Sequence, residues 1–314
     1  LYIISGRGNP LLTEDIVNYI SREKSHPVTQ VKVLSDKFSD GELRVEIQEN
    51  LRGKDVYVVQ SLSNPANEYI MELMLILDAL SRSDVKSITL VISYYGYARQ
   101  DKKVIPRSPI SAKILASMLE LYHPNRLITI DLHAPQIQGF FSIPVDNLYG
   151  SIAFIPHMKK HTNGLVSVSP DGGGVERASY YAKRLDCGLA FCYKHRNKPN
   201  EIAEMRLIGE VKGKDCLLVD DMCDTGSTLV KASDILLENG AKSVHAYITH
   251  GVFSGNAVEN LSNSSLQTIN ITDTILPSIE VMKNNKFKMI SIAPLLGQAL
   301  ININNGDSVS KLFN

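Results

Sequence analysis

Eight short runs of β-branched and other apolar residues recur along the chain, separated by segments whose apolar residues follow a helical spacing. The runs are Tyr2 to Ile4, Asp55 to Gln60, Ile88 to Ser93, Arg126 to Ile130, Leu165 to Val168, Asp215 to Val219, Val244 to Thr249 and Gln267 to Ile271. Most carry few polar residues, the pattern of central parallel strands covered on both faces. Between them, Ile70, Leu73, Leu77 and Leu80 recur at i, i+3, i+7 and i+10 within Glu68 to Ser81, which is one face of a helix. Ile110 to Leu121, Val175 to Leu185 and Leu229 to Glu238 show the same spacing, and Gly240 follows the last as a helix stop. The alternation predicts an α/β class built from βαβ units, with Met71, Met74 and Met118 as core residues of its helices.

A chain of 314 residues has room for about two such domains. The order strand, loop, helix occurs around residues 88–121 and again around 215–240, which predicts two similar α/β domains joined near Asn147 to Ile152. Lys plus Arg number 33 and Asp plus Glu number 33, so binding to nucleic acid or anionic membrane through bulk charge is excluded. No apolar run approaches the 18 or so residues of a membrane span, and residues 1–20 lack the pattern of a retained secretory signal. Cys187, Cys192, Cys216 and Cys223 form no C-x-x-C pair and read as free thiols of a cytoplasmic protein. His157 and His161 share a helical spacing but have no acidic partner between them, so a solvated pair beside Lys159 and Lys160 is expected rather than a metal site.

The strongest local signal runs from Leu217 through Val219, Asp220, Asp221, Met222, Cys223, Asp224, Thr225, Gly226 and Ser227 to Thr228. An apolar strand here delivers adjacent carboxylates to its C-terminal end, where open α/β sheets bind ligands. The small and hydroxylic residues that follow open a helix, whose unpaired backbone N–H groups and positive dipole end favour a phosphate. The carboxylates suit sugar hydroxyls or a hydrated Mg²⁺. The segment reads as a phosphosugar cradle, against the plainer alternative of an acidic turn with Asp224 or Thr225 as N-cap.

This segment resembles the phosphoribosyl pyrophosphate (PRPP) motif of type I phosphoribosyltransferases. Four further segments, Phe38 to Glu42, Tyr97 to Lys103, Asp131 to Phe141 and Ser169 to Gly174, narrow the resemblance to the phosphate-regulated ribose-phosphate pyrophosphokinase (PRPP synthetase) family. The resemblance implies two domains of the type I phosphoribosyltransferase fold, each a mainly parallel sheet flanked by helices. One would span 1–148 with the tail 300–314 and take ATP; the other would span 149–299 and take ribose 5-phosphate. The implied reaction moves the pyrophosphoryl group of MgATP to the 1-hydroxyl of ribose 5-phosphate. By resemblance, Phe38, Asp40, Gly41, Glu42, Arg99, Gln100 and Asp101 contact ATP, and His133 and Asp171 contact Mg²⁺. Without the resemblance, Phe38 to Glu42 is only a polar turn, and His133 is an unusual ligand for an ion that prefers oxygen.

Asp224, Thr225, Gly226, Ser227 and Thr228 would hold the sugar phosphate, Asp220 and Asp221 its hydroxyls. Lys194 and Arg196 would clamp the transferring group, Arg196 also touching ribose 5-phosphate, with His195 dispensable. Arg52, Ser81, Arg82, Ser308, Ser310 and Phe313 match an allosteric anion site for phosphate or ADP, and the family implies dimers assembling to a homohexamer. Asn50 and Lys311 depart from the Ser and Tyr of regulated relatives, so an altered effector response is expected. Arg99 to Lys113 holds five basic residues and one acid and suits a flap over triphosphate. Two alternatives are disfavoured: a transferase that consumes PRPP would not need the segments Phe38 to Glu42 and Arg99 to Lys103, and a silent synthetase-associated subunit would have a disrupted Lys194 and Arg196 loop or acidic cradle. The sequence has no Walker A pattern, which disfavours a P-loop kinase.

Overall fold

A computed structural model describes residues 1–22, 26–161, 164–195 and 204–313, in two units that each have their own sheet and core. Unit 1 comprises residues 1–149, 274–276 and 292–314; unit 2 comprises 150–273 and 277–291. Arg196 lies outside the described residues.

Unit 1 begins with β1 (Tyr2–Ser5), α1 (Pro10–Arg22), β2 (Thr29–Val31), β3 (Val33–Lys37), β4 (Leu43–Ile47) and β5 (Asp55–Ser61). It continues with α2 (Ala66–Arg82), β6 (Ser87–Tyr94), α3 (Ser111–Glu120), β7 (Arg126–Ile130) and β8 (Val145–Leu148). The apolar runs form a parallel sheet in the order β2-β1-β5-β6-β7-β8. Val58, Leu90, Ile92 and Leu127 are fully buried in one core with the helix face of Ile70, Leu73, Leu77 and Leu80. Met74 joins this core and Met118 packs against it, but Met71 is half exposed, because α2 turns that side toward a cleft. β3 and β4 form a separate antiparallel hairpin, too short and too evenly half-buried to stand out by periodicity.

Unit 2 contains α4 (Ser151–Met158), β9 (Leu165–Ser169), α5 (Val175–Leu185), β10 (Gly188–His195), β11 (Glu204–Ile208) and β12 (Asp215–Cys223). After these come α6 (Ser227–Glu238), β13 (Ser243–Gly251), α7 (Ala257–Ser262), β14 (Thr268–Thr272), α8 (Ile279–Lys283) and β15 (Phe287–Ile290). Its sheet runs β11-β10-β9-β12-β13-β14-β15, parallel except for β11. The chain then returns to unit 1 through α9 (Ala293–Asn304), which packs on α1, Tyr19 donating to Gln298 at 3.3 Å. The returning segment therefore starts at residue 292, ahead of residue 300, because α9 docks as one continuous helix.

Each sheet reverses strand order once, between β1 and β5 in unit 1 and between β9 and β12 in unit 2. The internal repeat aligns 55–82 with 215–238, rather than 88–121 with 215–240. Asp55 and Asp215 open equivalent strands, and each accepts a hydrogen bond from a serine on the next strand, Ser87 at 2.5 Å and Ser243 at 2.6 Å. Every βαβ unit repeats the order strand, loop, helix, so only strand pairing reveals which two correspond. In this alignment Gln60 and Ser61 occupy the places of Asp220 and Asp221.

Candidate active site

The reversal between β9 and β12 creates the crevice in which open α/β sheets bind ligands. β12 does not stop at Val219 but continues to Cys223, so Asp220 and Asp221 lie within the strand. β9 pairs with it only as far as Leu218, whereas β13 pairs with Asp220, Met222 and Cys223. One neighbour thus keeps the acidic segment extended, and the end of the other leaves it open to the crevice.

Asp221 is buried and Asp220 half-buried. Burial, and next the charge of Asp221, push the Asp220 carboxyl well above the usual carboxylate range, while Arg177 opposes the shift. Arg177, on the first turn of α5, donates through Nη1 to Asp220 Oδ1 at 3.1 Å and to Asp221 Oδ1 at 2.9 Å. Sequence reading missed this residue, because an arginine in a helix with three other basic or acidic neighbours carries no local signature.

Past β12, the amides of Phe253 and Ser254 donate to the carbonyls of Cys223 and Asp224 at 3.0 and 2.9 Å, fixing the start of the loop. Gly226 is the N-cap of α6, with φ of 76°, and no side chain caps that helix. A Cβ on Gly226 would lie 2.9 Å from Leu261 Cγ, so glycine is required by both conformation and space. The N-cap is Gly226, not Asp224 or Thr225, so the cap residue itself offers no side chain to the first-turn N–H groups. Thr225 and Ser227 are exposed, with their hydroxyls 3.2 Å apart, and Thr228 is half-buried beside them. First-turn amides, hydroxyls and a helix N-terminus make an anion cradle.

The loop after β9 brings Asp171 to the same crevice. Its Oδ1 accepts from the amides of Gly173 and Gly174 at 2.8 and 3.2 Å, which shapes the turn into α5. A Cβ on Gly174 would fall 2.7 Å from Ser169 Oγ, so this close approach needs glycine; Gly172 has open space and no such demand. Lys194 stands on β10 opposite Met205 of β11, near the end of that antiparallel ribbon.

In unit 1, Phe38, Asp40, Gly41 and Glu42 form the tip of the β3–β4 hairpin. Phe38 and Glu42 are joined by a 2.8 Å backbone hydrogen bond, and the Glu42 amide donates to Asp40 at 3.1 Å. Phe38 is 51% exposed, with the Arg44 guanidinium 5.9 Å from its ring centre. The hairpin base is held by Glu72, fully buried on α2, which accepts from Ser35 (2.5 Å), Arg7 Nε (2.8 Å) and Gln60 (2.8 Å). Glu72 too was unmarked in the sequence, a single acid within an apolar helix face.

Arg99, Gln100 and Asp101 follow β6 on a separate loop. Gln100 accepts from the Ala112 amide at 3.2 Å and contacts Ser111, and Asp101 accepts from Gln136 at 2.9 Å. The cleft at the hairpin tip is lined by Lys37, Gly41, Glu42 and the α2 residues Asn67, Glu68, Met71 and Leu75, so Arg99, Gln100 and Asp101 are not among its walls. His133 lies exposed after β7.

The anion-site residues fall in two groups of unit 1. Arg52 and Arg82 are near the end of α2, paired with Asp84 (3.8 Å) and Asp78 (2.7 Å), and Ser81 precedes Arg82 there. Ser308, Ser310 and Phe313 lie on the C-terminal tail, where Ser308 accepts from the Ser310 amide and Phe313 packs edge-on to Tyr149.

His157 and His161 are not a solvated pair. Both lie within hydrogen-bond reach of the Tyr247 hydroxyl, at 3.0 and 3.1 Å, because the turn after α4 wraps back onto the sheet. All four cysteines are free; burial pushes the thiols of Cys216 and Cys223 up to about 12, so both are unreactive. Among the described residues, no group of three or more His, Cys, Asp or Glu side chains forms a metal cage, and no helix is long and apolar enough to cross a membrane.

Residues 1–122 match the N-terminal domain of ribose phosphate pyrophosphokinase, and residues 194–314 match the phosphoribosyl synthetase-associated domain. The ribose-phosphate pyrophosphokinase of Cereibacter sphaeroides is 49% identical over 99% of this chain and 94% of its own length. That of Rhizobium meliloti is 48% identical over 99% of both chains. The crystal structure of phosphoribosylpyrophosphate synthetase from Mycobacterium smegmatis superposes with a TM-score of 0.90 at 35% identity, covering 97% of this chain and 99% of that one. These matches extend across both units, and the chain belongs to the ribose-phosphate pyrophosphokinase family.

Proposed function

We propose that this chain is a ribose-phosphate diphosphokinase, which transfers the β,γ-diphosphoryl group of MgATP to the 1-hydroxyl of ribose 5-phosphate and releases AMP and PRPP. The observation that carries this reading is the glycine-capped N-terminus of α6, entered through an acid pair, one buried and one half-buried, at the strand-order reversal of unit 2. Asp224 to Thr228 hold the 5-phosphate, and Asp220 and Asp221 accept from the ring hydroxyls. Unit 1 holds ATP through Phe38 to Glu42 and Arg99 to Asp101: the phenyl ring offers a stacking face and the carboxylates accept from an exocyclic amine. Lys194 and Arg196 offset charge on the group in flight, which is the main task in phosphoryl-type transfer.

The donor chemistry suits Mg²⁺ as an ion shared with substrate phosphates. The acids near the cradle offer oxygen ligands but no closed cage, and Mg²⁺ characteristically keeps waters and phosphate oxygens in its shell. His133 in unit 1 and Asp171 in unit 2 would each contact Mg²⁺, the imidazole through water or at one of two ions. When bound, the ion neutralises triphosphate charge. A homohexameric state, a phosphate or ADP response through Arg52, Ser81, Arg82, Ser308, Ser310 and Phe313, and a cytoplasmic location belong to the same reading.

Incubation with ATP, Mg²⁺ and ribose 5-phosphate is expected to yield AMP and PRPP in equal amounts. Lys194→Ala is expected to lower kcat by about a hundredfold or more while ribose 5-phosphate still binds. Wild-type protein that forms no AMP excludes the assignment.

A further inference from the structure

The same Nη1 atom of Arg177 bridges two adjacent carboxylates, 3.1 Å from Asp220 and 2.9 Å from Asp221. All three side chains are largely withdrawn from water, at 23%, 21% and 6% exposure. Two neighbouring carboxylates repel one another, and burial strengthens the repulsion. A guanidinium between them offsets that repulsion and defines the direction of each. The fold makes the bridge close: Gly174 is the N-cap of α5, a Cβ there would lie 3.9 Å from Asp220 Oδ1, and the first helical turn places Arg177 within reach of the pair. The Asp221 amide also donates to Asp220 Oδ1 at 2.9 Å, which further restricts that carboxylate.

We propose that Arg177 is a positioning residue for sugar recognition, holding Asp220 and Asp221 in place to accept the vicinal hydroxyls of a pentose 5-phosphate. The inference rests on the reading that these two acids take the sugar hydroxyls. Arg177 touches the acids rather than the reacting atoms. It organises the pair before substrate arrives, so that little ordering is left to binding.

The test uses the full-length chain with Arg177→Met and Arg177→Lys. Ribose 5-phosphate and 2-deoxyribose 5-phosphate, which lacks one hydroxyl of the diol, are compared as substrates, with KM for MgATP and thermal unfolding measured alongside. Arg177→Met is expected to raise KM for ribose 5-phosphate about 10- to 100-fold, to leave KM for MgATP within about twofold, and to narrow the preference for ribose over deoxyribose. Arg177→Lys should recover part of both effects, since it restores the charge but not the planar donor. A folded Arg177→Met protein with wild-type KM and wild-type discrimination overturns the proposal. So does a loss that falls equally on both substrates and tracks Tm, which marks a purely structural role. If Arg177→Met does not fold, Arg177→Lys decides: unchanged discrimination overturns the proposal and narrowed discrimination supports it. Wild-type protein that neither binds ribose 5-phosphate nor forms PRPP defeats the functional reading itself, a result separable from failure of the Arg177 variants alone.

Discussion

Gly226 shows how one residue can serve two demands. Its φ of 76° costs an L-residue about 1 kcal/mol or more, and its missing Cβ leaves the room that Leu261 takes. Gly226→Ala is therefore expected to lose about 2 kcal/mol of stability and to weaken binding of ribose 5-phosphate, because the α6 amides would be displaced. Thermal unfolding and titration calorimetry check both parts; an unchanged Tm with normal binding contradicts the steric argument. The motif around Gly226 was readable in sequence because its parts are contiguous: strand, acids, loop and helix start follow within a dozen residues. Arg177 was not readable, since it stands 43 and 44 positions before the acids it meets.

At the scale of elements, the turn after α4 is tied to the sheet by a ring cluster. His157 and His161 both reach Tyr247, His161 lies 4.5 Å from His245 between ring centres, and His245 Nδ1 is 2.8 Å from Thr268 Oγ1. Burial first, then the neighbouring His161, lowers His245 to about 4, and burial also lowers His157. Both shifts disfavour protonation in the folded state relative to the unfolded chain, whose histidines titrate near 6.5. The native state thus binds fewer protons between these values. Its stability is full above pH of about 6.5 and falls as pH drops toward about 4. Tm measured from pH 8 to pH 5 should decline, and His245→Gln should flatten the slope; equal slopes in the two proteins contradict this origin. The i, i+4 spacing of His157 and His161 was visible in sequence, but their common partner sits 86 residues or more away, so spacing alone suggested solvent.

Across the whole molecule, zero net charge hides local separation: five basic residues and one acid lie in Arg99 to Lys113, and three acids lie in Asp220 to Asp224. Exposed charges such as Arg99 are screened at separations beyond about 8 Å in physiological salt. Raising NaCl from 50 to 500 mM should increase KM for ATP several-fold with little change in Tm; a salt-independent KM argues against a role for the basic segment in capturing triphosphate. By itself, the sequence determined the α/β class, the central strands, the amphipathic face of α2 and the strand, loop and helix start that carry Asp220 to Thr228. Each of these depends on hydrophobic period or on chemistry among near neighbours. Only the tertiary structure decided that 55–82 is the counterpart of 215–238, that α9 returns to unit 1, that Phe38 to Glu42 and Arg99 to Asp101 lie on separate loops, and that Arg177 holds the acid pair. Those facts depend on strand pairing and on contacts distant in sequence, which local propensity does not encode.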